Sequence, residues 1–121
     1  MSRDHRTLKV FQVADELVVQ VYQVTRSFPV EERYGLQSQL RRASVSVPTN
    51  LVEGCARTTQ RDYAQFLRVA LGSASEVRYL LGLSSRLELL PNDACAELGT
   101  RYDELVRGLQ SLLTAVERSA D

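Results

Sequence analysis

The chain has one histidine, His5, and two cysteines, Cys55 and Cys95. Histidine-based triads and the usual zinc sites need more than that. Two-metal sites of the ferritin type need Glu-x-x-His repeats on bundle helices, and the sequence has none. The cysteines are forty residues apart and form no CxxC pair, so they read as separate reduced thiols. Tryptophan is absent, and glycine (6) and proline (3) are scarce. There is no Gly-rich phosphate loop, internal repeat or low-complexity tract. No run approaches the roughly 18 apolar residues of a membrane span. The N-terminal segment MSRDHRTLKVFQ lacks the apolar centre of a signal peptide. These absences predict a cytoplasmic protein with no membrane partner, no cofactor, no metal and no catalytic residues.

Neither sign of charge is in excess: fifteen basic side chains meet fifteen acidic ones. That counts against a nucleic-acid binder that is basic throughout. The charge is nevertheless segregated. From Arg33 to Arg78 there are seven basic and three acidic residues, and from Asn92 to Asp121 three basic and six acidic. All basic residues but Lys9 are arginine, which suits bidentate contacts to carboxylate or phosphate. The adjacent carboxylates Glu31-Glu32 and Asp103-Glu104 splay apart on a helix and read as solvated faces. With 44% hydrophobic and 25% charged residues, residues 1–121 suit one globular domain, with 1–6 and 120–121 expected to fray.

Apolar period and punctuation predict four helices. The first spans about Thr7 to Ser27, with Phe11, Ala14, Val18, Val21, Thr25 and Phe28 as its seam. Pro29 ends it. Val13, Val19 and Tyr22 lie off that seam and suggest a second partner. The second helix starts near Glu31 or Leu36 and runs towards Cys55, with a kink expected at Pro48. The third runs from about Gln60 to Leu89, opened by Thr59 and Asp62 as a capping box. Its seam is Tyr63, Leu67, Ala70, Ala74, Val77, Leu81 and Ser84. The fourth runs from an Asn92 cap to about Ser119, on a seam of Cys95, Leu98, Tyr102, Leu105, Leu109, Leu112 and Val116. Four helices with short connections predict an all-α, antiparallel up-down-up-down bundle.

The segment Arg33–Glu76 carries a polar stripe beside its apolar seam. At 100° per residue Gln39, Arg42, Ser46, Asn50, Glu53 and Arg57 share one sector. A lone carboxylate at Glu76, flanked by Val69, Ser73, Leu80 and Leu83, would be costly to bury unpaired. A buried network of Gln39, Arg42, Asn50, Glu53 and Glu76, built on an Arg42–Glu76 pair, is therefore expected. The alternative is that the stripe binds a ligand or phosphate. Arg41, Arg57, Arg61 and Arg68 are the candidate contacts to RNA, DNA or a partner protein. Tyr34, Tyr63 and Tyr79 offer stacking faces, although the position of Tyr63 favours the core.

Several segments carry a resemblance. They are Leu8-Lys9-Val10-Phe11, the run Phe28 to Leu36, Gln39-Leu40-Arg41-Arg42-Ala43, the run Pro48 to Gly54, and the run Phe66 to Glu76. Together they resemble the bacterial four-helix-bundle family, also called the 23S rRNA intervening-sequence protein family. The match covers most of the first 90 residues, and the last helix matches in character only. The resemblance implies a four-helix bundle that assembles as a homopentameric ring. It also implies kinship with the accessory variability proteins of diversity-generating retroelements. Those are similar rings that assist a reverse transcriptase and are associated with nucleic acid. The ribosomal name describes where some of the genes lie. The expectation is a non-enzymatic, ring-forming interaction protein for RNA, DNA or a reverse-transcriptase-like partner. The alternative is a structural scaffold with no nucleic-acid role.

Overall fold

The computed structural model describes residues 3–120. The four helices are α1 (Lys9–Thr25), α2 (Leu36–Cys55), α3 (Gln60–Arg86) and α4 (Asn92–Arg118). Short 3-10 turns cover His5–Thr7 and Val30–Glu32, and the described residues include no strand. The ends expected of α1 and α3 contract by two or three residues. After Thr25 the chain turns through Arg26–Phe28 to reach Pro29, and after Arg86 it folds back with Glu88 at φ 60°.

One apolar core joins all four helices. Leu17 and Val21 of α1, Leu40 and Leu51 of α2, Leu67 and Leu81 of α3, and Leu109 of α4 are completely buried. The seams expected of α3 and α4 are buried, with Leu113 taking the place of Leu112. At about 25 cal/mol per Å² of apolar surface, burial of each such leucine contributes about 1.5–3 kcal/mol. α2 packs extensively on α3, and α3 on α4. α1 leans on α2 and has its thinnest contact with α4, while the α1–α3 and α2–α4 backbones do not approach one another.

Local chemistry sets the helix starts. Thr59 accepts a hydrogen bond from the Asp62 amide at 3.1 Å, which closes the first turn of α3 as the capping pattern predicts. The Asn92 side chain does not cap α4. It is the first helical residue, and its Oδ1 accepts from Ser85 Oγ at 2.5 Å. α2 is continuous through the buried Pro48. Just before and after it, Ser44 Oγ donates to the Arg41 carbonyl, Thr49 Oγ1 to the Val45 carbonyl and Asn50 Nδ2 to the Ser46 carbonyl, each at 2.8 Å.

The N-terminal residues from Arg3 are tied down where fraying was expected. Arg3 donates to the Arg57 carbonyl at 2.7 Å and to Gln60 Oε1. Asp4 accepts from the Arg6 amide at 3.0 Å, and His5 packs edge-on against Phe11. Residues 1, 2 and 121 lie outside the described range, whereas the Ala120 amide donates to the Glu117 carbonyl.

Candidate interaction surface

The polar stripe of α2 faces solvent in the single chain. Gln39, Arg42, Glu53 and Glu76 are exposed and Asn50 is half-buried. Among the described residues Arg42 and Glu76 form no ion pair within 4.0 Å of each other. The expected buried network is therefore absent from the protomer. The reason is rotational. The core seam of α2 runs through Leu40, Val47 and Leu51, and the stripe turns past the α2–α3 contact into water. What remains is an open hollow of about 330 Å³ between α2 and α3, lined by Gln39, Arg42, Ala43, Ser46, Ser73 and Glu76. Its base is organised: Ser46 Oγ and Ser73 Oγ are 2.8 Å apart, and Asn50 Nδ2 donates to Ser46 Oγ at 3.0 Å.

The four nominated arginines do not form one patch. Arg41 is half-buried and committed to α1. Its Nε donates to Thr25 Oγ1 at 2.9 Å, its Nη2 to the Tyr22 carbonyl at 3.3 Å, and its guanidinium lies 4.5 Å from the Tyr22 ring centre. Arg68 pairs with Glu117 of α4 at 2.7 Å and also bonds Gln65. The acidic last helix thus neutralises one of the nominated arginines. Arg57 and Arg61 both flank the α2–α3 turn, where Arg57 stacks 4.6 Å from the Phe66 ring centre.

A third arginine joins them there. Arg3 bonds the Arg57 carbonyl and Gln60, and its guanidinium sits 4.3 Å from the Tyr63 ring centre. Sequence reasoning passed over Arg3 because a chain end with no apolar period reads as frayed. The signal available was Asp4, a good cap for a short turn. Gln60 also donates to Ser119 Oγ at 2.9 Å, so the end of α4 reaches the same turn. Beside it Thr58, Thr59, Gln60 and Arg61 line an open hollow of about 340 Å³. Tyr63 itself is core, its hydroxyl pushed up to about 12 by burial and by the neighbouring Cys55 thiol. Burial also raises the Cys55 and Cys95 thiols. Tyr34 and Tyr79 are exposed.

The family model described as 23S rRNA-intervening sequence protein matches residues 6–111. The chain belongs to that family. Among solved structures, a protein with unknown function from the S23 ribosomal protein family of Bacteroides thetaiotaomicron is similar. The TM-score is 0.80 at 22% identity, over 87% of this chain and 95% of that one. At that identity the likeness shows a shared fold. Comparison with curated proteins gives no match.

Among the described residues no group of three His, Cys, Asp or Glu side chains could hold a metal ion. The thiols are buried and their raised pKa keeps them protonated. No described helix is long and apolar enough to cross a membrane.

Proposed function

We propose that this member of the family is a non-catalytic interaction protein. In this reading it is an antiparallel up-down-up-down bundle with α2 bent at Pro48, it assembles into a ring, and it presents the α2–α3 turn to RNA or DNA. The observation that carries the nucleic-acid part is the convergence of Arg3, Arg57 and Arg61 on that turn. The Arg57 guanidinium, held over the Phe66 ring, is pre-oriented for phosphate oxygens, and Arg3 braces the turn through its bonds to the Arg57 carbonyl and Gln60. The N-terminus of α3 adds its partial positive charge at the same place. Antiparallel packing is supported by the pairing of later α3 residues with earlier α4 residues: Arg78 meets Asp103, and Arg68 meets Glu117. Self-assembly is supported by exposed apolar side chains, among them Val19, Tyr22, Val45 and Val52. In a ring the three arginines repeat about the axis, so a modest local surplus multiplies. A nucleic-acid-processing protein, such as a reverse transcriptase, would be a partner of the same assembly.

The test is binding of single-stranded and structured RNA to the full chain. Affinity should fall steeply between about 50 and about 200 mM salt, because phosphate contacts release counterions. Arg57→Glu with Arg61→Glu should abolish it. One observation favours the alternative, a scaffold without nucleic acid: Arg41 and Arg68 already have partners within the protomer. Absence of RNA binding at low salt would select that reading.

A further inference from the structure

The charge of α4 is divided along its length. Asp93, Glu97, Asp103 and Glu104 lie at or before its middle, and the one carboxylate after Glu104 is Glu117, which Arg68 takes at 2.7 Å. The two cations of the second half, Arg107 and Arg118, are exposed, and neither forms an ion pair within 4.0 Å among the described residues. They are about three turns apart and share one face about 16 Å long. That face points away from the buried Leu105 and Leu109.

Between the two arginines the face is a furrow. Gln110, Ser111, Thr114 and Ala115 line it together with them, around an open hollow of about 470 Å³, and no carboxylate is among these residues. The nearest acids along the helix are directed elsewhere: Asp103 is held by Arg78 at 3.0 Å, and Glu104 lines the groove against α1. The Gln110 amide and the Ser111 and Thr114 hydroxyls are neutral donors along the furrow. The furrow also runs into the basic turn. Arg118 is followed by Ser119, whose Oγ accepts from Gln60 Nε2 at 2.9 Å, and Gln60 adjoins Arg61 and holds Arg3.

We infer that a phosphodiester chain bound at the α2–α3 turn continues along the outer face of α4, where Arg118 and then Arg107 contact its phosphates. The inference rests on the nucleic-acid reading proposed above and extends that surface onto a second element. Cations at both ends of the furrow and neutral donors between them complement a chain of regularly spaced anions. At 3.4 Å per step of one strand, a face of about 16 Å spans about five steps. The rings at the turn are already engaged by guanidinium groups, Tyr63 by Arg3 and Phe66 by Arg57. Contact there is to the backbone, and stacking of bases on those rings has no part in it.

Salt titrations of binding to the full chain test it, read by the fluorescence anisotropy of a labelled RNA strand of about 16 nucleotides. Arg107→Gln with Arg118→Gln should still bind at low salt, with its helical circular dichroism intact, but with a shallower salt dependence. Each phosphate contact to a single strand contributes about 0.7 to the slope of log affinity against log salt, so the slope should fall by about 1.4. Between about 50 and about 200 mM salt, wild type should then lose about seven times more affinity than the variant. Ser111→Glu with Thr114→Glu puts carboxylates into the furrow and should weaken binding at low salt. An unchanged slope in the arginine variant overturns the inference and leaves the turn as the site. Poly-glutamate that binds wild type as tightly as the RNA, and is lost from the same variant, makes the occupant an acidic polypeptide and also overturns it. A wild-type chain that binds no RNA at low salt removes the nucleic-acid reading itself, and this inference with it.

Discussion

Arg41 reaches back sixteen residues to place its Nε 2.9 Å from the hydroxyl of Thr25, which is completely buried at the end of α1. Thr25 Oγ1 in turn donates to the Val21 carbonyl at 2.7 Å. The charged head over the Tyr22 ring also takes the Tyr22 carbonyl, and Gln37 Nε2 takes the Thr25 carbonyl at 2.9 Å. Two of the last four carbonyls of α1, those of Tyr22 and Thr25, thus accept bonds from α2, while Gln23 and Val24 are taken by the Arg26 amide and Ser27 Oγ. Thr25→Val keeps the volume and removes the hydroxyl. It should destabilise the fold by about 1–3 kcal/mol in urea titrations, the usual cost of an orphaned buried group. In a double-mutant cycle with Arg41→Ala the two losses should not add.

Two glycines should behave oppositely when changed to alanine. A Cβ at Gly54 would lie 2.9 Å from Phe66 Cβ and 3.1 Å from Tyr63 Cδ1, both on the packed α3 side. Gly54→Ala should cost about 1–3 kcal/mol through overpacking. A Cβ at Gly99 would meet only the head of Arg78, at 3.0 Å from Cζ. That flexible end can swing away, at the loss of the partly exposed Arg78–Asp103 pair. Gly99→Ala should therefore change stability by less than about 1 kcal/mol. Thermal unfolding of the two variants side by side makes the comparison.

Glu76→Ala separates an exposed carboxylate from a buried one. A broken buried pair would cost about 3–5 kcal/mol. With Glu76 in solvent, protomer stability should move by no more than about 0.5 kcal/mol. Denaturant unfolding, at a concentration low enough to keep protomers apart, reads this number.

The core seams were legible in the sequence because a 3–4 apolar repeat has one physical explanation, a face against other helices. Tyr63, Leu67, Ala70, Ala74, Val77 and Leu81 show this, since every one of them is buried. The stripe was not legible in the same way. A helical wheel places Arg42 and Glu53 beside the seam, yet the sector beside a seam can face either a neighbouring helix or water. The docking angle between α2 and α3 decides which, and it depends on side chains of both helices at once. The basic end was half legible. Arg57 and Arg61 were named, but Arg3 is joined to them by contacts across more than fifty residues, which no local period encodes.

Stability should fall at alkaline pH. Burial holds the Tyr63 hydroxyl up at about 12, against an ordinary value near 10. Between those values the unfolded chain has lost the proton and the folded chain has kept it, so rising pH favours unfolding. The slope is at most about 1.4 kcal/mol per pH unit for each such tyrosine. Tyr102, whose hydroxyl is raised further by burial, contributes in the same direction. Urea midpoints from pH 9 to pH 12 should decline, and Tyr63→Phe should flatten part of the decline.

Both cysteines should be silent to thiol reagents in the native state. Cys55 and Cys95 are buried, with the Cys95 Sγ 3.3 Å from the Leu81 carbonyl, and burial disfavours their thiolates. Labelling by a maleimide at neutral pH should proceed only at the rate of unfolding. Rapid modification of either thiol would show that its helix opens locally.

Gln60 joins the segment around Arg3 to the end of α4: its carbonyl oxygen takes Arg3 and its amide reaches Ser119. An affinity tag joined close to Arg3 or Ser119 would therefore start near Arg57 and Arg61. A polyhistidine or acidic tag there would compete with, or imitate, the phosphate contacts under test. Untagged protein, or a tag inserted between Glu88 and Pro91 in the α3–α4 connection, leaves that end of the molecule clear.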